Sequence, residues 1–169
     1  MINLALAINS DCNMSCKMCP RKLMETTDRY LPLQKAKEII DRLTGVQRIA
    51  LTGIGEPFLH PDLFEIIEYC KMKGMTTQVT TNGTILNKNI AKKIFKSKLD
   101  NIAFSLESIS QDTMQGHELG TAVTKIEQFI KLREEYNSDR PIVTLQVVLL
   151  SEVVDELPKI VEWAKRIGI

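Results

Sequence analysis

The sequence predicts an α/β fold with a parallel sheet, on three observations. Five short apolar or β-branched runs alternate with five segments of helical periodicity along the 169 residues. The predicted strands are nearly continuous in apolar residues, as is typical of parallel sheets buried on both faces. No repeat and no Pro-, Gly- or Ser-rich linker interrupts the pattern, so a single domain is expected. The strands alone leave two architectures open, a doubly wound sheet and an arc of a (β/α) barrel.

The five strands are predicted from short runs bounded by polar or glycine-containing segments. The third run, TTQVTT, is rich in β-branched residues, which favour strands. The helices that connect parallel strands are expected to pack outside the sheet with right-handed crossovers. The predicted strands cover residues 2–8, 48–52, 76–81, 101–106 and 142–150.

Helical spacing of apolar residues predicts helices over residues 33–43, 61–74, 87–97, 122–136 and 154–167. The second of them is predicted to have Pro61 in its first turn and to end at Gly74. Cys70 lies on its apolar face and is expected to be a buried structural thiol. Pro158 is compatible with the last helix because it falls in the first turn.

Composition excludes several classes of function. The formal net charge is +1, from 22 basic and 21 acidic residues, so neither a nucleic-acid surface nor an anionic-membrane surface is indicated. No apolar run approaches the roughly 20 residues that span a bilayer, and the first residues do not resemble a signal peptide. We therefore expect a cytoplasmic, reducing setting, where clustered cysteines favour metal binding or chemistry over disulfides.

Glycines, thiols or polar groups follow four consecutive predicted strands. A cysteine-containing loop follows the first strand, GIGEP (53–57) the second and NG (82–83) the third, and SLES (105–108) ends the fourth. In parallel α/β folds the carboxyl ends of the strands open on one face, where ligands bind. The sequence therefore predicts a ligand site at this face.

Three of the four cysteines, Cys12, Cys16 and Cys19, fall within eight residues. A structural zinc site needs four ligands, and the two histidines, His60 and His117, lie far along the chain, where both are expected to be surface residues near helices. A disulfide would leave an odd thiol. A [4Fe–4S] cluster normally takes four thiolates, so three local thiolates leave one iron open to a substrate or cofactor.

The stretch CNMSCKMC resembles the cluster loop of the radical S-adenosylmethionine (SAM) enzymes, and the later motifs follow in the order of that family. GEPFLHPDL and TTNG are most similar to members that carry a C-terminal SPASM or twitch extension, such as sulfatase maturases and peptide-modifying enzymes. The resemblance implies a partial (β/α) barrel of about five parallel β/α units. Residues 1–169 would form the core domain, incomplete because the family usually has six strands. No second cysteine cluster is present for auxiliary clusters.

The resemblance also implies the chemistry. The three thiolates would bind three irons of a [4Fe–4S] cluster, and the amino and carboxylate groups of S-adenosyl-L-methionine would chelate the fourth. Electron transfer into the sulfonium would give methionine and a 5′-deoxyadenosyl radical that abstracts hydrogen from a peptide, protein or small metabolite. A reductant protein of the flavodoxin or ferredoxin type is the implied electron donor. The alternative is a non-catalytic iron–sulfur or zinc-binding module.

Four residues after the second and third strands match SAM-binding elements of the family. Gly55 is expected to let the backbone approach the ligand closely, and Glu56 to accept hydrogen bonds from the SAM ammonium group. Thr81 or Asn82 is expected to reach the SAM carboxylate.

Ser105 and Glu107 match the ribose element of the family and are placed for the ribose hydroxyls or the amino-acid portion of SAM. They lie two residues apart, which on a strand puts both on one face. Met18 occupies a position that is often aromatic and packs near the adenine. Many maturases carry an arginine after the fourth strand, in a stretch that begins with a histidine. GHELGTA (116–122) contains His117, which is expected to lie on a helix surface, but no arginine.

The fifth predicted strand leaves an apolar edge open, and the chain stops about where a sixth strand is expected. Open parallel edges invite pairing with other strands. We therefore expect a missing C-terminal segment or a partner chain to complete the barrel. The sequence identifies neither the substrate nor a general acid or base.

Overall fold

The computed structural model describes residues 2–24, 30–109, 119–151 and 153–169. Within them, five strands form one parallel sheet, and helices follow the strands in alternation. The strands are β1 (Ile2–Ala7), β2 (Val46–Thr52), β3 (Thr76–Thr81), β4 (Asn101–Ser105) and β5 (Ile142–Gln146). The helices are α1 (Leu33–Asp41), α2 (Leu63–Met72), α3 (Lys88–Ser97), α4 (Leu119–Glu135) and α5 (Leu157–Ile167).

The order of the strands decides between the two architectures. It is β1-β2-β3-β4-β5, the order of the chain itself, and every neighbouring pair is parallel. A doubly wound sheet would reverse direction at a switch point, whereas a (β/α) barrel winds in one direction. The prediction of a partial barrel is confirmed. Because Ala7 pairs with Thr52, and Ser105 with Gln146, the strand exits lie along one edge.

The hydrophobic core lies between the sheet and its helices. Ile49 and Leu51 of β2, Phe104 of β4 and Phe129 of α4 are almost fully buried there. The rings of Phe104 and Phe129 meet edge to face, with centroids 5.8 Å apart. Cys70 is fully buried in this core, as its position on the apolar face of α2 predicts.

Several predicted boundaries were wrong by two or more residues, namely the starts of β2, α2, α4 and α5 and the ends of α1, α2 and β5. Two of them have a clear physical reason. Helix α2 begins at Leu63, after a turn that contains Pro61, so this proline precedes the helix. Strand β5 ends at Gln146 because its neighbour β4 ends at Ser105, and the ladder closes with the bond from Leu106 N–H to the Gln146 carbonyl. Val148 and Leu149, predicted as strand, are instead exposed by 44% and 58%.

His60 is buried, which corrects the expectation of a surface residue. Only 4% of the residue is exposed, and its Nε2 lies 2.9 Å from the Leu31 carbonyl. Its Nδ1 accepts the Asp62 N–H at 3.0 Å, and its ring meets Tyr30 edge to face. Tyr30 and Leu31 therefore both contact the imidazole and help to bury it. His117 lies outside the described residues.

Within the described ranges, no helix combines the length and apolar character needed to cross a membrane.

Candidate functional site

The cysteine loop leaves the carboxyl end of β1 and ends in a short 3-10 helix, Pro20–Leu23. Cys12, Cys16 and Cys19 are all free thiols of intermediate burial. The Cys19 N–H donates to the Cys16 carbonyl at 3.2 Å, which makes a tight turn of the second half. The Arg21 guanidinium donates to the Met14 carbonyl at 2.6 Å and closes the loop on itself. These two hydrogen bonds brace the backbone of the cysteine loop.

Cys12 and Cys16 lie in an environment that disfavours their thiolate forms. Burial raises the pKa of Cys16 to about 11, and nearby Cys12, Glu107 and Cys19 add to the effect. Burial also raises the pKa of Cys12, where a hydrogen bond from the Met14 N–H partly opposes it. The Glu56 carboxylate raises the pKa of Cys12 further. A cationic metal centre would relieve this crowding, because metal binding displaces thiol protons.

Gly55 allows the cysteine loop to pack directly on the loop after β2. A Cβ on Gly55 would collide with the Asp11 carbonyl oxygen and lie 2.9 Å from the Asp11 nitrogen. The Glu56 N–H donates to that Asp11 carbonyl at 2.7 Å. The Asn9 amide donates to the Asp11 carbonyl at 3.1 Å and the Glu56 carbonyl at 2.9 Å. The backbone that approaches Gly55 closely is therefore the chain's own.

Glu56 ties the exit of β2 to the exit of β3. Its carboxylate accepts hydrogen bonds from the Thr81 hydroxyl at 2.7 Å, the Asn82 N–H at 2.8 Å and the Phe58 N–H at 3.2 Å. The residue is 1% exposed, and this burial raises its pKa although the three hydrogen bonds oppose the shift. These donors are neutral, so the negative charge of Glu56 is solvated but not neutralised by them.

Thr81, the last residue of β3, and Asn82, which follows it, differ in what they contact. The buried Thr81 hydroxyl donates to Glu56 and accepts the Gly83 N–H at 3.1 Å. Asn82 is half-buried and its amide faces the cysteine loop, where Nδ2 lies 3.8 Å from Cys12 Sγ. Of the two, Asn82 is the residue that reaches the thiols.

Ser105 and Glu107 lie at the exit of β4 and contact each other. The Ser105 hydroxyl donates to the Glu107 carboxylate at 3.1 Å. Glu107 is 1% exposed, and this burial raises its pKa against the opposing effect of the Ser105 hydrogen bond. The Glu107 charge also influences Cys16. Met18 is half-buried in the cysteine loop.

Four residues at this edge are missing from the sequence-based prediction. Asn9 and Asp11 join the loops after β1 and β2, and Asn13 and Thr84 join the cysteine loop to the exit of β3. A signal existed for Thr84, because an Asn followed two residues later by Thr is typical of a turn in which the Asn side chain accepts the later N–H. No local signal indicated that Asn13 would contact a residue 71 positions away.

The donor chemistry of the loop suits an iron–sulfur cluster. Over the ranges that the structure describes, no three His, Cys, Asp or Glu side chains converge on a single metal ion. A cluster takes its thiolates at separate irons, so its ligands surround a group of atoms rather than one ion. Three free, mutually influencing thiols in one loop provide donors of that kind.

A family profile described as the radical SAM superfamily matches residues 7–164. The chain belongs to the radical SAM superfamily. This superfamily uses a [4Fe–4S] cluster and SAM, in agreement with the cofactors predicted from the sequence. The radical SAM match begins at Ala7, the last residue of β1, and covers every strand exit described above.

Curated relatives extend beyond this chain. A tungsten-containing aldehyde ferredoxin oxidoreductase cofactor-modifying protein of Pyrococcus furiosus is 28% identical, over 98% of this chain and 49% of its own length. A probable GTP 3′,8-cyclase of Metallosphaera sedula is 30% identical, over 99% of this chain and 53% of its own length. This radical SAM chain thus spans about half the length of these two relatives.

Solved structures share the fold. Streptococcus suis SuiB bound to S-adenosylmethionine superposes with a TM-score of 0.77 at 17% identity, over 99% of this chain and 37% of SuiB. The structure of anSMEcpe with bound AdoMet superposes with a TM-score of 0.73 at 18% identity, over 97% of this chain and 48% of anSMEcpe. At these identities the similarity establishes the fold alone.

Proposed function

We propose that residues 1–169 form the core domain of a radical SAM enzyme of the SPASM or twitch type. In this proposal the domain binds a [4Fe–4S] cluster and cleaves SAM reductively to a 5′-deoxyadenosyl radical, which abstracts hydrogen from a substrate. The observation that carries the proposal is the position of the three-thiol loop. It lies against the exits of β2 and β3 through hydrogen bonds of Asp11 and Asn13. Thiols and SAM-binding candidates therefore share one edge of the sheet.

The three cysteines would supply one thiolate to each of three irons, leaving the fourth iron for SAM. When bound and reduced, the cluster would supply the electron that breaks the sulfonium bond of SAM. The residues of this chain would hold and orient the reactants. Arg21, through the Met14 carbonyl, would keep the loop closed around its ligands.

Charge complementarity supports the assignment of the SAM site. SAM carries a sulfonium and an ammonium group, and the buried carboxylates Glu56 and Glu107 both influence the thiols electrostatically. We propose that Glu56 stabilises the ammonium group and that Asn82 lies beside the SAM carboxylate without donating its amide, which the cysteine loop engages. In this assignment Thr81 acts through Glu56, to which its hydroxyl is bound.

The remaining predicted contacts complete the same site. Ser105 and Glu107 would bind the ribose hydroxyls or the amino-acid portion of SAM, and their mutual hydrogen bond fixes them relative to each other. Met18 would pack near the adenine through its flexible thioether. Gly55 would act through the packing of the two loops, which brings the cysteines beside Glu56.

The substrate is proposed only as a class: a peptide, a protein or a small metabolite. Relatives carry names as different as GTP 3′,8-cyclase and S-adenosylmethionine-dependent nucleotide dehydratase, and SuiB was solved with its precursor peptide. A flavodoxin- or ferredoxin-type protein would supply the electron. The exposed Val148 and Leu149 beyond β5 would be covered by a further segment or a partner chain.

The test is anaerobic reconstitution of the chain with iron and sulfide, followed by dithionite and SAM. We expect a brown protein that releases 5′-deoxyadenosine. The Cys16→Ala variant removes one ligand, and we expect it to lose essentially all cleavage activity. Cys70→Ala is the matched control, because Cys70 is buried on the core face of α2 and lies outside the cysteine loop, and this variant should retain cleavage if it folds.

Other outcomes would contradict the proposal. A brown protein that never cleaves SAM would support the iron–sulfur carrier, and a colourless zinc-loaded protein would support a structural metal site. Full cleavage activity in Cys16→Ala would overturn the ligand assignment.

A further inference from the structure

Three polar side chains form a closed ring of hydrogen bonds between the cysteine loop and the exit of β3. Asn82 Nδ2 donates to Asn13 Oδ1 at 3.1 Å, and Asn13 Nδ2 donates to Thr84 Oγ1 at 2.7 Å. Thr84 Oγ1 in turn donates to Asn82 Oδ1 at 2.7 Å. We call Asn13, Asn82 and Thr84 the amide ring.

The ring fixes the direction of the Asn82 amide. Asn82 Oδ1 accepts both the hydroxyl and the backbone N–H of Thr84, the latter at 2.9 Å. Its oxygen therefore points to Thr84, and its nitrogen must point to the cysteine loop. One N–H of that nitrogen is used by Asn13, and the nitrogen also lies within hydrogen-bond distance of Cys12 Sγ, at 3.8 Å. The orientation follows from the network, in which each donor meets an acceptor.

Cys12 Sγ thus receives N–H groups from two directions. The Met14 N–H donates to it at 3.4 Å from within the loop, and the Asn82 amide approaches from β3. Hydrogen bonds to a ligating sulfur stabilise negative charge on it, and they do so more strongly in the reduced, more negative cluster. Such partners around metal ligands tune the metal centre.

We infer that the amide ring is a positioning device that holds the Asn82 N–H against the Cys12 thiolate and thereby raises the reduction potential of the cluster. This inference rests on the proposed function, because it requires a cluster on Cys12. Asn13 and Thr84 are hydrogen-bonded to the Asn82 side chain, and they act on Cys12 through it. Thr84 is 5% exposed, which keeps water from replacing its hydroxyl in the ring.

The test is a redox titration of the reconstituted, SAM-free chain. The electron paramagnetic resonance signal of the reduced cluster monitors the titration. Asn82→Leu removes the N–H donor at similar volume, and we expect a three- to tenfold fall in the equilibrium constant for one-electron reduction. A tenfold fall corresponds to about 59 mV for one electron. Thr84→Val removes the hydroxyl of the ring, and we expect a smaller fall in the same direction.

Thr84→Ser is the matched control, because it keeps the hydroxyl and should leave the potential within error of the unaltered chain. The melting temperature of the metal-free variants, measured by circular dichroism, separates positioning from structure. A purely structural ring would lower the melting temperature and leave the potential unchanged, which would overturn the inference. If Asn82→Leu does not fold, the Thr84 pair decides the question alone.

The outcome also separates the two proposals. An unaltered chain that binds a cluster and cleaves SAM, with variants of unchanged potential, would overturn only the role of the amide ring. A chain that binds no iron–sulfur cluster would overturn the proposed function and the inference together.

Discussion

The carboxyl and amino ends of the parallel strands form two edges of the sheet, and each edge contains a carboxylate that joins neighbouring segments. The two carboxylates differ in their partners, because one has only neutral hydrogen-bond donors and the other also has a cation. At the carboxyl edge, buried Glu56 accepts hydrogen bonds from the neutral donors of Thr81, Asn82 and Phe58. At the amino edge, Asp100 accepts both N–H and O–H of Thr77, at 2.8 and 3.1 Å, and the Lys71 ammonium at 2.7 Å.

The pKa values of the two carboxyl groups shift in opposite directions. Burial raises the pKa of Glu56, and its hydrogen bonds only moderate the effect. Partial burial also acts to raise the pKa of Asp100, but the bonds from Lys71 and Thr77 outweigh it and leave the pKa below its usual value. The amino edge pairs its charge within the fold, whereas the hydrogen-bond donors of Glu56 leave its charge available to a cationic ligand.

The largest expected effect comes from removing the Glu56 charge. In the proposed site, Glu56→Gln should weaken SAM binding by about 10- to 100-fold, because a hydrogen bond to a charged group contributes about 1.5–3 kcal/mol. Asp100→Asn, the matched variant at the opposite edge, should leave SAM affinity unchanged. Isothermal titration calorimetry on the reconstituted protein measures both. Equal losses in the two variants would remove the functional distinction between the edges.

A second prediction concerns how the carboxyl edge is assembled. Gly55→Ala places a Cβ against the Asp11 backbone, and overpacking of this kind should lower the free energy of unfolding by about 1–3 kcal/mol. The added Cβ should also push the cysteine loop away from the loop after β2, and this change should reduce iron incorporation. Urea denaturation and iron analysis provide the measurements.

The control for Gly55→Ala is the same change at Gly120. This glycine lies exposed in α4, and a Cβ there would meet no atom of the described residues within 4 Å. Gly120→Ala should therefore stabilise the chain by about 0.5–1 kcal/mol, since alanine favours a helix. An unaltered stability in Gly55→Ala would show that the two loops yield without strain.

The smallest effects are the pH dependences, which should have opposite signs. The pKa of Asp100 is lowered, so its stabilisation is present above its usual value of 3.8 and is lost as the pH falls through the lowered pKa. The pKa of Glu56 is raised, so its contribution is present below its usual value of 4.5 and is lost as the pH rises through the raised pKa.

These signs are measured by urea denaturation of the metal-free chain and of two variants between about pH 3 and pH 7. The stability of the unaltered chain minus that of Asp100→Asn should increase with pH. The stability of the unaltered chain minus that of Glu56→Gln should decrease as the pH rises. Parallel slopes would contradict the electrostatic contrast between the two edges.

Much of the fold was predictable because its signals are local. The alternation of apolar runs indicated five strands and five helices, and the third strand was predicted at Thr76–Thr81 as observed. Helix α3 was predicted to within a residue, since Asn87 caps it by accepting the N–H groups of Asn89 and Ile90. Boundaries failed where a neighbouring element decided them, as at β5, whose length follows the end of β4.

Local patterns indicated the α/β class, the cysteine loop and the polar groups at the strand exits, because periodicity, turn residues and ligand spacing act over short stretches of chain. The choice of a barrel over a doubly wound sheet, the burial of His60, the packing of Asp11 on Gly55 and the amide ring all depend on tertiary contacts. These contacts join residues 29 to 71 positions apart. Their existence depends on strand order and register, which no local pattern specifies.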